Sequence, residues 1–495
     1  MNVKNESERD SCNPFSLSRS LFSLFANLTT FDISCIFADC MKHILLLGAG
    51  RSASYLIKYL LDNSSSQNWK VTVADVSLEL AKQKVGNHPN AVVNAFDVND
   101  EKHRENEIAK TDLVISLLPA HLHYLVAKDC VRLKKHLVTA SYVSNEIRQL
   151  DVEAKKNGVL LLNEIGLDPG IDHMSAMQII DHIRNEGGEI NSFKSYCGGL
   201  IAPESNNNPW GYKFTWNPRN VVLAGQGTAQ YIENGKYKEI PYSRLFLETE
   251  KIKVEGCGEF EAYANRDSLS NREPYGLQNI PTMLRGTLRS SGFCKAWNAF
   301  VQLGWTDDSY KIANSEQMTY KEFLKTYLRS PLSGKQQLAD LLGESENSEV
   351  MKKLDWLEIF NNEKINLQNA TPAQILQKFL EEKWKLEPTD IDMIVMQHQF
   401  EYASPSSPLP MERGVRQDGV RENISSLVVK GEDSIYTAMA KTVGLPVGIA
   451  AKLILNNVIK VRGVQIPTMK EIYEPVLKEL EMFGIKFREK IQNAG

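Results

Sequence analysis

The chemistry most plainly written into this sequence is a dinucleotide cradle. The run His43-Ile-Leu-Leu-Leu-Gly48-Ala-Gly50-Arg51-Ser52-Ala53 sets a strand-length apolar stretch directly before Gly-x-Gly-x-x-Ala, and Tyr55, Leu56, Tyr59 and Leu60 follow at helical spacing. Gly48 permits the tight turn and Gly50 lets backbone approach a pyrophosphate. Ala53 lets the helix lie close on the strand, and the helix start offers unpaired N–H groups to the anion. Asp75 ends the next strand, where a carboxylate can accept hydrogen bonds from both ribose hydroxyls and would repel a 2′-phosphate. The expectation is therefore NAD, with NADP disfavoured and Arg51 the nearby cation that softens the preference. Ser116, Leu118 and Pro119 end a further strand, where a chain edge can lie along the cofactor. Pro119 alone would equally suit a helix start.

A second group of residues could act on a bound substrate. Asp168, between Leu167 and Pro169 in a turn rich in Gly and Pro, can present its carboxylate to an ammonium group, or can simply stabilise an Asx-type turn. His123 and His173 carry imidazoles whose ordinary titration near about pH 6.5 suits proton transfer, although a lone His is more often structural. The seven cysteines show no metal-site spacing and no dense framework; they read as reduced packing thiols in a cytoplasmic protein, with no metal expected.

These residues need a scaffold. Short apolar runs at 43–47, 70–74, 91–93, 113–117, 136–139 and 159–162 alternate with helical stretches, the pattern of a Rossmann-type doubly wound parallel sheet. Residues 190–304 turn rich in Gly, Asn, Pro and Trp, with strand-like pieces at 192–197 and 254–260, and fit a mixed-sheet α+β domain with long loops. Residues 316–385 read as amphipathic helices, including 320–327 and 373–384. Segments 391–402 and 422–431 alternate as a hairpin across the turn 404–410, and 433–456 reads as a buried helix. The expected division is 41–165 for the dinucleotide, 166–432 for substrate and dimerisation with a helical insert at 316–385, and 433–495 as C-terminal helices returning to the core. Residues 1–40 lack a sustained period and read as a poorly ordered extension.

Composition narrows the partners. The 495 residues carry 57 basic and 61 acidic side chains, a net charge of −4, with no basic stripe for nucleic acid. No run approaches the roughly 20 apolar residues of a membrane span.

Longer motifs point to a family. Ser116-Leu-Leu118-Pro119, Leu137-Val-Thr-Ala140-Ser141-Tyr142-Val, Asn163-Glu-Ile-Gly-Leu167-Asp168-Pro169-Gly170-Ile-Asp172-His173-Met and Tyr196-Cys-Gly-Gly-Leu resemble the saccharopine dehydrogenases. So do Asn208-Pro-Trp-Gly-Tyr-Lys-Phe-Thr-Trp-Asn-Pro218, Asn265-Arg266-Asp267-Ser268 and Leu284-Arg285-Gly286-Thr287-Leu288-Arg289. The likeness runs from about Met41 nearly to the C-terminus and is greatest for the glutamate-forming branch.

The resemblance implies an oxidoreductase acting on the CH–NH group of saccharopine, with NAD and water, to give glutamate, 2-aminoadipate 6-semialdehyde and NADH in lysine metabolism. It implies that Ala140, Ser141, Tyr142, Leu167, Asp168 and Pro169 border the cofactor, and that Ser141, Tyr142 and Asp168 also meet substrate. Arg266 and Arg289 become the expected carboxylate clamps, since a guanidinium binds a carboxylate bidentately, with Thr287 and Leu288 in the loop between; Arg285 is a weaker candidate. His123 matches a position near the nicotinamide and, with Asp168, is an expected catalytic residue. A homodimer is expected, as in many relatives. Two other readings stay open: a carboxyalkyl-polyamine or homospermidine-type dehydrogenase, against which the arginine motifs argue, and a non-catalytic NAD-binding regulator.

Overall fold

The computed structural model describes residues 41–328, 334–404 and 419–493. The expected extension at 1–40 and most of the turn at 404–410 lie outside them.

The first strands show why the chain folds as it does. In β1 (Lys42–Leu47), Ile44 and Leu46 enter one buried cluster while Leu45 and Leu47 enter another. Successive side chains point to opposite faces, so a run apolar at every position must be covered on both sides. One face is covered by helices Ser54–Ser64 and Ala438–Leu455, the other by His123–Leu133. The same logic sets β2 (Trp69–Asp75), β3 (Ala91–Ala95), β4 (Leu113–Ser116), β5 (His136–Val138) and β6 (Leu160–Leu162). Among the described residues these strands form a parallel sheet in the order β3-β2-β1-β4-β5-β6, extended by β15 (Gly463–Gln465) beside β6. The order reverses between β1 and β4, and ligands of such sheets bind outside the strand ends at that point.

From β6 the chain passes through helix Ile171–Asn185 into β7 (Glu189–Ile201), the centre of a second sheet. The hairpin β8 (Ala229–Glu233) and β9 (Lys236–Ile240) is followed by β10 (Glu250–Val254), β11 (Gly258–Ala264) and β12 (Thr282–Ser290). β12 runs parallel to β7, while β13 (Asp392–Ala403) pairs antiparallel on its other side, then β14 (Val420–Lys430) and β16 (Arg488–Asn493). The sheet is mixed, as expected. The anticipated strand at 254–260 is split: Val254 ends β10, a turn follows around Gly256 at φ 73°, and residues 258–260 begin β11. Helices Tyr320–Lys325, Gly334–Leu342, Glu349–Trp356 and Pro372–Lys383 cover the sheet's far side. Their core is aromatic, with Trp210, Phe293, Trp297, Phe300 and Trp384 in mutual ring contact.

The C-terminal segment returns to both sheets as β15 and β16, not as helices alone. Helix Ala438–Leu455 is, by length and composition, apolar enough to cross a membrane, but packs within the core against Ser54–Ser64. Gly444 and Gly448 give it that closeness: a Cβ at Gly444 would lie 2.8 Å from Leu56 N.

Candidate active site

The glycine loop leaves β1 at the switch point. Gly48 has φ 100°, and its N–H donates to Ala74 O (2.8 Å). A Cβ there would sit 2.9 Å from the Leu117 carbonyl, so the loops after β1 and β4 approach only because the residue is glycine. Arg51–Ala53 make one 3₁₀ turn into helix Ser54–Ser64, and Ala53 is buried against the sheet. Gly50 is exposed with open space where a Cβ would stand. These features fit a pyrophosphate, and Gly48, Gly50, Arg51, Ser52 and Ala53 would hold it. Leu118 and Pro119 follow β4 across the cleft, with Pro119 capping the 3₁₀ turn Ala120–Leu122.

Asp75 stands at the end of β2, but its carboxylate is already engaged. One oxygen accepts from Ala49 N (2.7 Å) and the other from Ser77 N (2.8 Å). Lys84, which the sequence did not single out, reaches over from helix Leu78–Val85 to the Gly50 carbonyl. Burial pulls its ammonium down to about 8 while Asp75 acts to hold the proton on it. The strand end thus holds a carboxylate and an ammonium side by side, where only the carboxylate was expected.

The loop after β6 brings the two sheets together. Asp168 Oδ1 accepts from Arg285 Nη2 (2.5 Å) of β12, and the same nitrogen donates to Asp172 Oδ2 (2.6 Å) on helix Ile171–Asn185. Tyr142, from the loop after β5, points its hydroxyl at the same Asp168 oxygen (3.4 Å). Asp168 Oδ2 has no protein partner among the described residues, and the side chain is 19% exposed. Burial raises the Asp168 pKa, Arg285 opposes the rise and Asp172 adds to it. Burial also pushes Asp172 upward, yet His173 and Arg285 outweigh it and leave that group below its ordinary value. The two carboxylates beside one guanidinium are therefore shifted in opposite directions. Asp168 is the member that opens outward.

His123 occupies a different kind of place. Its Nδ1 lies 2.8 Å from Ser116 Oγ and its Nε2 2.7 Å from Ser141 Oγ, and the ring is fully buried. Burial lowers it to about 4. Both nitrogens are spent on serines, so the imidazole is a neutral bracket for Ser141 and not an exposed acid or base. His173 is likewise buried, against Glu164 (2.9 Å) and Tyr275 (2.6 Å).

The arginines divide three ways. Arg285, the weaker candidate from sequence, makes the central ion pairs. Arg289, four residues along β12 on the same strand face, is buried among the rings of Tyr212, Tyr263 and Phe293 at 5.2, 5.7 and 5.4 Å. Among the described residues it has no carboxylate partner, and its Nε has no hydrogen-bond partner. Arg266 is exposed and makes no side-chain hydrogen bond or ion pair among the described residues. It follows Asn265, whose N–H donates to Arg285 O (2.8 Å) and whose side chain meets Thr287 (2.7 Å). Leu288 is core. The two halves also touch at Arg51 Nη1 and Phe214 O (3.4 Å), two residues from the Tyr212 ring that caps Arg289.

Comparison with known proteins decides the family. Residues 44–162 match the saccharopine dehydrogenase NADP binding domain and 166–485 the saccharopine dehydrogenase C-terminal domain. The chain belongs to the saccharopine dehydrogenase family. It is 36% identical over 462 residues to saccharopine dehydrogenase [NADP(+), L-glutamate-forming] of Pyricularia oryzae, covering 91% of this chain and 99% of that one. The enzyme of the same name from Saccharomyces cerevisiae is 36% identical over 460 residues. The solved apo structure of the yeast saccharopine dehydrogenase (L-Glu forming) superposes with TM-score 0.79 at 34% identity, covering 91% of this chain and all of that one. The mitochondrial alpha-aminoadipic semialdehyde synthase of Rattus norvegicus is 35% identical over 466 residues, which is 47% of its length.

These relatives correct the cofactor. The expectation of NAD over NADP is overturned, because the matching domain is described as NADP binding and the fungal relatives are named for NADP(+). The physical basis of that expectation was Asp75 as a free, repelling carboxylate. Its oxygens are tied to backbone amides, and Lys84 stands against its charge. Lys84 lies in the helix that follows the strand ended by Asp75, and nothing in its local sequence says which way it points.

Proposed function

We propose that this saccharopine dehydrogenase family member is the L-glutamate-forming enzyme, using NADP(+) to oxidise the secondary amine of saccharopine. The observation that carries the reading is the contact of Asp168 with Arg285. It ties the carboxyl edge of the nucleotide sheet to the strand of the substrate sheet that bears Thr287 and Arg289.

When bound, NADP(+) supplies the hydride acceptor for the carbon beside the secondary amine. Lys84 and Arg51 give the adenosine end two cations, and the glycine loop gives the pyrophosphate its amides. Asp168 Oδ2 takes the proton of the substrate amine and later returns it to the departing amine as the hydrated carbon collapses to aldehyde. Tyr142 steadies Oδ1, and Ser141 is aimed by His123. Arg266 binds a substrate carboxylate from the open side. Arg289, a buried cation with no anionic partner among the described residues, attracts a second one through the aromatic cage. The reading extends to a cytoplasmic homodimer; Cys130, Cys197, Cys257 and Cys294 are free thiols, which suits a reducing compartment.

The test is substrate discrimination. Purified protein with NADP(+) should turn over saccharopine and release glutamate, and should neglect a carboxyalkyl-polyamine that lacks the extra carboxylates. Equal rates on the two, or turnover of the polyamine alone, would overturn the assignment.

A further inference from the structure

Behind Asp168 lies a second set of buried ionisable groups that the proposed chemistry does not use. Glu164, the second residue after β6, has φ 57°. Its N–H donates to Ser141 O (3.0 Å) and its Oε1 accepts from Val143 N (3.0 Å), so one residue grips the backbone on both sides of Tyr142. Its Oε2 meets His173 Nε2 (2.9 Å). His173 Nδ1 meets the Tyr275 hydroxyl (2.6 Å), in the turn that follows the Arg266 segment. The ring is fully buried, with the Tyr275 ring edge-on at 5.7 Å.

His173 and Asp172 are neighbours at the start of one helix, yet each serves a different arm. Asp172 runs through Arg285 to Asp168; His173 runs through Glu164 to the Ser141–Tyr142–Val143 segment. The arms end on the two partners of the Tyr142–Asp168 contact. We infer that Glu164 and His173 are a positioning pair that holds Tyr142 over Asp168 and ties that loop, through Tyr275, to the substrate half.

The charges support it. The groups facing Asp168 are Arg285 from β12, Asp172 and His173 from the helix, Tyr142 from the loop after β5 and Tyr275 from the turn, with Glu164 behind His173. Cys197 of β7 and His398 of β13 stand behind them. Burial works against an imidazolium at 173, but Asp172 and Glu164 overcome it and raise the ring's pKa. In its protonated form, His173 stabilises the ionised form of Asp168. Without that charge, Asp168 should hold its proton to higher pH.

The inference rests on the proposed reaction for its kinetic consequence but not for its titration. Glu164→Gln keeps an acceptor for Val143 N, whereas Glu164→Ala removes it. Glu164→Ala should lower kcat/KM for saccharopine roughly 10–100-fold, as loss of charge-assisted hydrogen bonds does, with NADPH affinity unchanged and Glu164→Gln recovering most of the loss. In His173→Gln the acidic limb of the kcat profile should move to higher pH. Independently of turnover, the carbon-13 shift of the Asp168 carboxyl, assigned with Asp168→Asn in substrate-free protein, should show the same upward displacement. Folded variants in which neither the Asp168 titration nor the kcat limb moves would overturn the inference, as would Glu164→Gln losing as much as Glu164→Ala. A displaced titration in a protein that does not turn over saccharopine would leave the positioning pair standing and sink the reaction.

Discussion

The two halves of the molecule build their parts of the site by different means. The nucleotide half works with backbone: a positive-φ glycine, a helix start and two loops at a switch point, set by small residues at fixed spacing. The substrate half works with side-chain charge gathered from distant strands, as when Arg285 meets Asp168 across 117 positions of sequence. The first kind of site tolerates surface change and fails on any added atom. The second tolerates small steric change and fails when a charge is lost, because removing one member of a buried ion pair leaves the other uncompensated.

Variants that strike one half should spare the other. Asp168→Asn should reduce kcat by ~10²–10⁴, the range of general acid–base contributions, with NADPH affinity within about twofold of wild type by fluorescence titration. A parallel loss of NADPH affinity would erase the division. Gly48→Ala forces a left-handed backbone on a residue with a Cβ and drives that atom at the Leu117 carbonyl. The strain of about 1–3 kcal/mol should lower the melting temperature, and added NADPH should no longer raise it; a normal NADPH-induced rise would show that the loop is not the cradle. Arg266→Ala should raise the saccharopine KM roughly 10–100-fold, as loss of a charged hydrogen bond does, and leave NADPH binding intact. An unchanged KM would remove Arg266 from the site.

How much of this could be read from the sequence follows the same division. Gly48, Gly50 and Ala53 announce themselves because backbone geometry is dictated locally, and the parallel sheet follows from alternating short apolar runs. Asp75 was identified by position, but not its two backbone partners, nor Lys84 leaning on it, since neither is set by local spacing. On the substrate side, long motifs marked Arg266, Arg285 and Arg289 but put Arg285 last. Only the fold shows that Arg285 is consumed by Asp168 and Asp172, that Arg289 is caged by rings and that Arg266 has no side-chain partner among the described residues. Strands β15 and β16 were missed because each is short and lacks an apolar run; Arg488–Asn493 is exposed throughout and is a strand only because β14 offers it an edge.

Acid should affect both halves together. His123, His136 and His398 are each lowered by burial to about 4 from an unfolded value near about 6.5. The unfolded chain therefore binds more protons in this window. The stability these three rings contribute is complete above about pH 6.5 and is lost as pH falls toward 4, and urea midpoints at pH 7.5, 6 and 5 should decline in that order. A midpoint that holds steady to pH 5 would show that these rings are already protonated in the fold. The smallest effect concerns the cofactor. Lys84→Ala should weaken NADPH binding a few-fold, about 1 kcal/mol for a partly exposed charge, with saccharopine KM unchanged. No change in the NADPH dissociation constant would assign Lys84 to loop packing alone.

The most direct measurement follows NADPH absorbance and free glutamate together when purified protein is mixed with saccharopine and NADP(+). The two halves acting as one site predict that NADPH and glutamate appear at equal rates and that both fall together by ~10²–10⁴ in Asp168→Asn. Protein that binds NADPH yet shows neither product, or forms NADPH without glutamate, would contradict it.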